Sequence, residues 1–309
     1  PSHKSTAKKT STAKTTKKRT TKRSSPRLRR MHQAFVASAA LKPMARQLLQ
    51  DRSPAAYAGV EAYARRHSKE DAGALAWLVV GYAHVVDRDY AKAIDPLNHA
   101  KPLAGDLGDY VAYYLANSYF QTGRTAEAIA GLSEFDKNYP ESLLIRDAHV
   151  LYADALLAEG RPAEAIPILE KDREPIRSDL ELALGRAYAG AGQPAKAAEI
   201  YRNLYFTIPL SGEAAQAETE LNKVSGLSQA TTDQLRARAD LLMKGKRYSD
   251  AAGEYHDLLD RAAPNDRVAV QLALASALRK AGRNKEAKQV VESIPSSTPE
   301  INAERLFNL

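Results

Sequence analysis

Cysteine is absent from the sequence, which excludes disulfides and thiol chemistry and leaves the redox compartment open. No apolar run approaches the roughly 20 residues that a membrane-spanning helix requires. Runs of β-branched residues with period two are missing too, which argues against any sheet. Phosphate-cradling glycine loops and an HExxH helix are both lacking, and the seven histidines (His3, His32, His67, His84, His99, His149 and His256) show no metal-ligand spacing. The acidic pairs Glu218 with Glu220 and Glu292 with Glu300 read as ordinary surfaces of charged helices. No catalytic residue, cofactor site or metal site is therefore expected. Acidic residues are also missing from positions 1 to 30, and that local absence divides the chain.

Residues 1 to 30 hold 12 Lys or Arg, seven Thr and five Ser, with Leu28 the one sizeable apolar side chain. Such a stretch buries too little surface to offset its ordering entropy, so a disordered, self-repelling arm is expected. It reads either as a solvated spacer or as an electrostatic anchor to anionic membrane or cell-wall polymer. Nucleic acid is the weakest partner, since the arm has no aromatics to stack on bases. The formal charge of +8 hides this division: subtracting the arm leaves 33 basic against 37 acidic residues, a net of −4.

The whole chain is 44% hydrophobic, and beyond the arm it has abundant alanine with Gly and Pro at regular intervals. The stretch Asp109 to Pro140 sets the pattern. Ala116 is followed by Gly123, Ala128 and Pro140 at offsets of 7, 5 and 12, and the same offsets recur at Gly185, Gly192, Ala197 and Pro209 and at Ala275, Gly282, Ala287 and Pro299. Small residues at the first and third positions let two helices cross at about 8–10 Å. The glycine supplies the positive φ that ends the first helix, and the proline stops the second. Leu115, Tyr119, Ile129, Leu132 and Phe135 fall on the apolar stripes of the two helices. A hairpin of this kind cannot bury both stripes alone, so it must stack on neighbours.

In chain order, helix begins near Met31, with Pro43 starting a new turn, and Ser53 caps a helix that opens on Pro54 and runs to about His67. The first clear repeat places Trp77, Gly81 and Ala93, with Tyr90 packing back into the hairpin as in a tetratricopeptide-like unit. A weaker third copy has Ala153, Gly160 and Ala165, its second helix expected to break at Pro167 and Pro175. An additional helix is expected over 212–224, with Ser211 or Gly212 as cap and Ala214, Ala217, Leu221 and Val224 on one face. A fifth unit uses Ala239, Ala251 and Tyr255 with its turn at Gly245, and "EINAERLFNL" reads as a helix start, so the array is expected to continue beyond Leu309. The fold expected is all-α, a right-handed superhelix of antiparallel hairpins over 31–309, a TPR-like α-solenoid.

In such an array the first helices line the concave side. Their exposed positions are Tyr82, Tyr110, Tyr113, Asn117, Phe120, Asp154, Arg186 and Arg279, a set suited to sugar rings or an extended peptide. Packing against the next hairpin competes with binding as the role of Tyr82 and Phe120, whereas Tyr113 and Asn117 favour binding.

The stretches "LKPMARQLLQDRSPAAYAGVEAYARRH", "LGDYVAYYLANSYFQTGR", "EFDKNYPES", "LELALGRAYAGAGQPAKAAEIYRNLYFTIPLSGEAAQAETEL" and "RADLLMKGKRY" resemble the superhelical N-terminal region of bacterial soluble lytic murein transglycosylases. The most specific part is the Pro209 to Leu221 join, where "IPLS" runs into the additional helix. The resemblance implies a noncatalytic scaffold that guides peptidoglycan glycan toward a C-terminal lysozyme-like domain, which no segment of this chain resembles. It also implies a periplasmic location, membrane-associated through a segment upstream of Pro1. The alternative is a free-standing adaptor that holds a protein or peptide partner in its groove.

Overall fold

A computed structural model describes residues 39–171, 173–225, 230–295 and 302–303. The basic arm, the Pro299 stop and most of the final "EINAERLFNL" stretch lie outside the described residues. The helices in order are α1 (Leu41–Asp51), α2 (Pro54–Arg66), α3 (Asp71–Val86), α4 (Tyr90–Ala100), α5 (Gly108–Gln121), α6 (Thr125–Leu132), α7 (Phe135–Asn138), α8 (Ile145–Ala158), α9 (Pro162–Lys171), α10 (Ser178–Gly190), α11 (Pro194–Thr207), α12 (Ala214–Val224), α13 (Thr232–Lys244), α14 (Tyr248–Arg261), α15 (Pro264–Lys280) and α16 (Asn284–Glu292). Two short 3₁₀ turns, Lys101–Leu103 and Gly105–Leu107, join α4 to α5.

Each hairpin closes through small residues. Ala93, Ala128, Ala165, Ala197, Ala251 and Ala287 are all fully buried where the second helix meets the first. Gly123, Gly160, Gly192 and Gly282 hold positive φ at the turns. Gly185 is needed for approach: a Cβ there would sit 2.3 Å from Tyr201 Cε1. The Ser53 hydroxyl accepts a hydrogen bond from the Ala56 amide, capping α2.

The first helices of successive hairpins touch one another, α1 on α3, α3 on α5, α5 on α8 and α8 on α10, and α10 touches the additional helix α12, while each second helix packs on the helix that begins the next unit, α11 on α12. The layer whose members are in mutual contact lies inside the curvature, so α1, α3, α5, α8, α10 and α12 face the concave side of an α-solenoid. Core clusters run along the stack without a gap in kind, from Leu48, Val60 and Val80 through Leu156, Leu184 and Tyr201 to Leu242, Tyr255 and Leu278.

Several local expectations need correction. Pro167 lies inside α9 without breaking it, although at the sixth residue of the helix it gives up one i→i−4 hydrogen bond. The second helix of the Asp109 to Pro140 unit does break, into α6 and α7, where Gly131 and Ser133 weaken helix propensity. In the fifth unit the positive φ falls on Lys246 and not on Gly245, whose missing Cβ instead makes room for Leu210. Neither Ser211 nor Gly212 caps α12; the N-cap position is Glu213, with no side-chain cap bond.

Candidate functional site: the inner face of the solenoid

The inner face divides into an apolar, aromatic part and a charged part. On α3, Leu75, Leu78, Val79 and Tyr82 follow the i, i+3, i+4, i+7 pattern and so form one stripe. That stripe floors a groove walled on one side by Leu41, Ala45 and Leu49 of α1 and on the other by Leu107 of the second 3₁₀ turn and Tyr110 and Tyr114 of α5. Tyr114 is the centre of an aromatic cluster: its ring lies 5.1 Å from Tyr82, 6.4 Å from Tyr110 and 5.4 Å edge-on from Tyr113. Offset and edge contacts of this kind hold the rings rigidly in place. None of the four hydroxyls hydrogen-bonds another described residue. Burial pushes the Tyr114 phenol up to about 12, with the neighbouring tyrosines adding to it.

The charged part begins at Tyr113. Burial, and then the charge of Asp147 on α8, push its phenol up to about 12. Arg177, just ahead of α10, donates from Nη2 to Asp147 Oδ1 at 2.7 Å and also grips Asp179, whose Oδ1 accepts the Leu180 amide at 2.9 Å. Burial would raise Asp179, yet the Arg177 hydrogen bonds hold its carboxyl below the usual range. Farther along, Asp154 on α8 is pushed up to about 6 by burial, an effect that the positive charge of Arg186 only partly offsets. Arg186 on α10 donates to Gln216 Oε1 of α12 at 2.9 Å.

Of the residues expected on this face, Tyr82 and Tyr110 are brought together in the aromatic groove, and Asp154 and Arg186 are electrostatic neighbours. Tyr113 joins the two parts. Asn117, half-buried, lies one turn beyond Tyr113 on α5. Phe120 and Tyr113 pack against a cluster formed by Leu132 and Phe135 of their own hairpin and Leu151 of the next. Arg279 is in the last turn of α15, past α12, α13 and α14 in the chain.

Sequence reasoning missed Tyr114, the α1 wall, and the Asp147, Arg177 and Asp179 group. A signal existed for two of them: Asp147 is seven residues before Asp154 and Asp179 seven before Arg186, which returns to the same helix face. No group of acidic or histidine side chains among the described residues has metal-binding geometry. His84 and His99 stack on Tyr57 and Trp77, and His149 Nε2 lies 2.6 Å from Asp136. Among the described residues no helix is long and apolar enough to cross a membrane.

Tetratricopeptide repeat family models match residues 110–142, residues 147–171 with 180–203, and residues 236–299. No curated protein matches the chain. Among solved structures, a tetratricopeptide repeat protein from Parabacteroides merdae is similar at 11% identity over 89% of this chain and 99% of its own length, with a TM-score of 0.48. The pilF protein of Pseudomonas aeruginosa is similar at 15% identity over 76% of this chain and 97% of its own, TM-score 0.37. The yeast Sti1 TPR2AB domain is similar at 18% identity over 80% and 98%, TM-score 0.32. The repeat matches and the hairpin geometry agree on a tetratricopeptide-like α-solenoid.

Proposed function

We propose that the chain is a noncatalytic scaffold that captures a segment of a protein partner on its inner face. The observation that carries this reading is the groove between α1, α3 and α5, where rigid tyrosines with free hydroxyls stand over an apolar floor. Apolar walls supply contact area, and hydroxyls that bond no protein group are available to a backbone or side chain of the ligand. The adjoining Arg177, Asp147 and Asp179 group is already internally paired, so it serves to fix the neighbouring helices and the Tyr113 ring. Selection of a displayed peptide library on the full chain, followed by titration of the selected peptide by anisotropy, tests the reading. Binding that Tyr110→Ala weakens by about tenfold, a loss of roughly 1.4 kcal/mol, is expected. Selected peptides that bind Tyr110→Ala and Tyr82→Ala as tightly as the native chain would place recognition elsewhere.

A second reading follows from the same aromatic cluster, since tyrosine faces also stack on sugar rings. In it the solenoid is the glycan-guiding, noncatalytic region of a periplasmic lytic transglycosylase, and the basic arm contacts anionic membrane or cell-wall polymer. Pull-down on insoluble peptidoglycan at low and high salt, with and without residues 1–30, tests it. Salt-resistant retention that does not need the arm supports glycan recognition in the groove. Retention by the arm alone and only at low salt reduces the interaction to charge attraction.

A further inference from the structure

The groove is electrically lopsided. Along α1, Lys42 and Arg46 flank the apolar residues Leu41, Ala45 and Leu49. These two cations are exposed, sit one helical turn apart, and neither forms an ion pair with a described acid. Other basic side chains of the solenoid are matched within their own helix or turn, as Arg65 is with Glu61, Lys92 with Asp89, Arg124 with Glu127 and Arg161 with Glu164. Two unmatched cations beside an apolar trough that also has an unmatched aromatic end form a surface with positive charge at one wall and free hydroxyls at the other. The groove's lining carries no acid among the described residues, and Asp71 and Asp106 line a neighbouring pocket that shares Leu75 with it.

We infer that the occupant of this groove is an acidic, amphipathic segment of a partner protein, with its carboxylates over Lys42 and Arg46 and its large apolar or aromatic side chains between Leu49 and the Tyr82, Tyr110 and Tyr114 rings. The inference rests on the peptide-capture reading and specifies its partner. Crossing from α1 to α5 spans two interhelical steps, on the order of 16–20 Å. An extended segment covers that with about five or six residues.

The test uses the full chain and two synthetic peptides of equal length, each alternating Phe or Leu with a charged residue, one carrying Glu and the other Lys. Because the basic arm attracts the acidic peptide in any case, the readout is the ratio between the native chain and a Lys42→Glu, Arg46→Glu variant, which keeps the arm unchanged. Both substituted positions are exposed, and circular dichroism checks the fold. The acidic peptide is expected to bind the native chain at near-physiological salt, about tenfold tighter than it binds the charge-reversed variant, and the basic peptide is expected to show the opposite preference. Equal affinity of the acidic peptide for native and charge-reversed chains overturns the inference. If library-selected peptides are lost with Tyr110→Ala yet ignore the charge reversal, the acidic partner is wrong and peptide capture stands. If neither the selected nor the synthetic peptides respond to Tyr110→Ala, both fall together.

Discussion

Asp154 offers the sharpest quantitative prediction, because its environment works against its charge. The carboxyl sits on the inner face of α8, mostly out of water, and its pKa is pushed from 3.8 to about 6 even with Arg186 nearby. Between these values the folded chain holds a proton that the unfolded chain has released, so stability falls as pH rises through this window and levels off above about 6. The two-unit difference corresponds to about 3 kcal/mol at pH 7 and to only about 0.5 kcal/mol at pH 4. Asp154→Asn replaces the carboxylate with a neutral group of the same shape. The variant is expected to stay within about 0.5 kcal/mol of the native chain near pH 4 and to exceed its stability by up to about 3 kcal/mol above pH 6.5. Urea unfolding at pH 4, 5, 6 and 7.5 reads the difference, with hydrogen exchange of the α8 and α10 amides localising it, since arrays unfold in segments. A variant that is less stable at pH 7.5, or whose advantage is the same at both ends of the series, refutes the reasoning. In that case the Arg186 attraction outweighs desolvation.

Three further outcomes follow from the packing and the site. Gly185→Ala drives a methyl into the Tyr201 ring and should destabilise the α10 and α11 hairpin by about 1–3 kcal/mol, seen as a lowered urea midpoint. Arg238→Ala should cost about 3–5 kcal/mol in the same assay, because it leaves the Glu254 carboxylate, held at 2.6 Å, with the Tyr205 hydroxyl but no positive charge, and uncovers the Tyr205 ring 3.5 Å from the guanidinium. Tyr113→Ala is expected to weaken peptide binding while leaving far-UV circular dichroism unchanged; unaltered affinity for every selected peptide would remove Tyr113 from the site.

The hairpins were legible because their markers admit few alternatives. A fully buried Ala at a helix crossing and a Gly at positive φ are each dictated by geometry, so offsets of 7, 5 and 12 located Ala116, Gly123 and Ala128 from sequence. Where other residues can satisfy the same geometry the pattern misled. Lys246 takes the left-handed position beside Gly245, and α9 accommodates Pro167. The inner face was partly legible because helix periodicity points Tyr82, Tyr110, Asp154 and Arg186 the same way. Tyr114 escaped because it sits next to Tyr113, and a single helix of that pitch gave no reason to choose both. The α1 wall escaped because Leu41 and Leu49 lie ahead of the first recognisable repeat, where no offset announces an inner helix. Ion pairs such as Arg177 with Asp147 depend on how two hairpins are set against each other, which periodicity within one helix does not encode.

The most direct measurement is hydrogen–deuterium exchange of the full chain with and without a saturating library-selected peptide. Capture on the inner face predicts added protection concentrated in α1, α3 and α5, around Leu49, Val79 and Tyr110 to Tyr114, with the outer helices α2 and α4 changed little. Protection centred on the outer helices or on residues 1–30, with the groove unchanged, would contradict it.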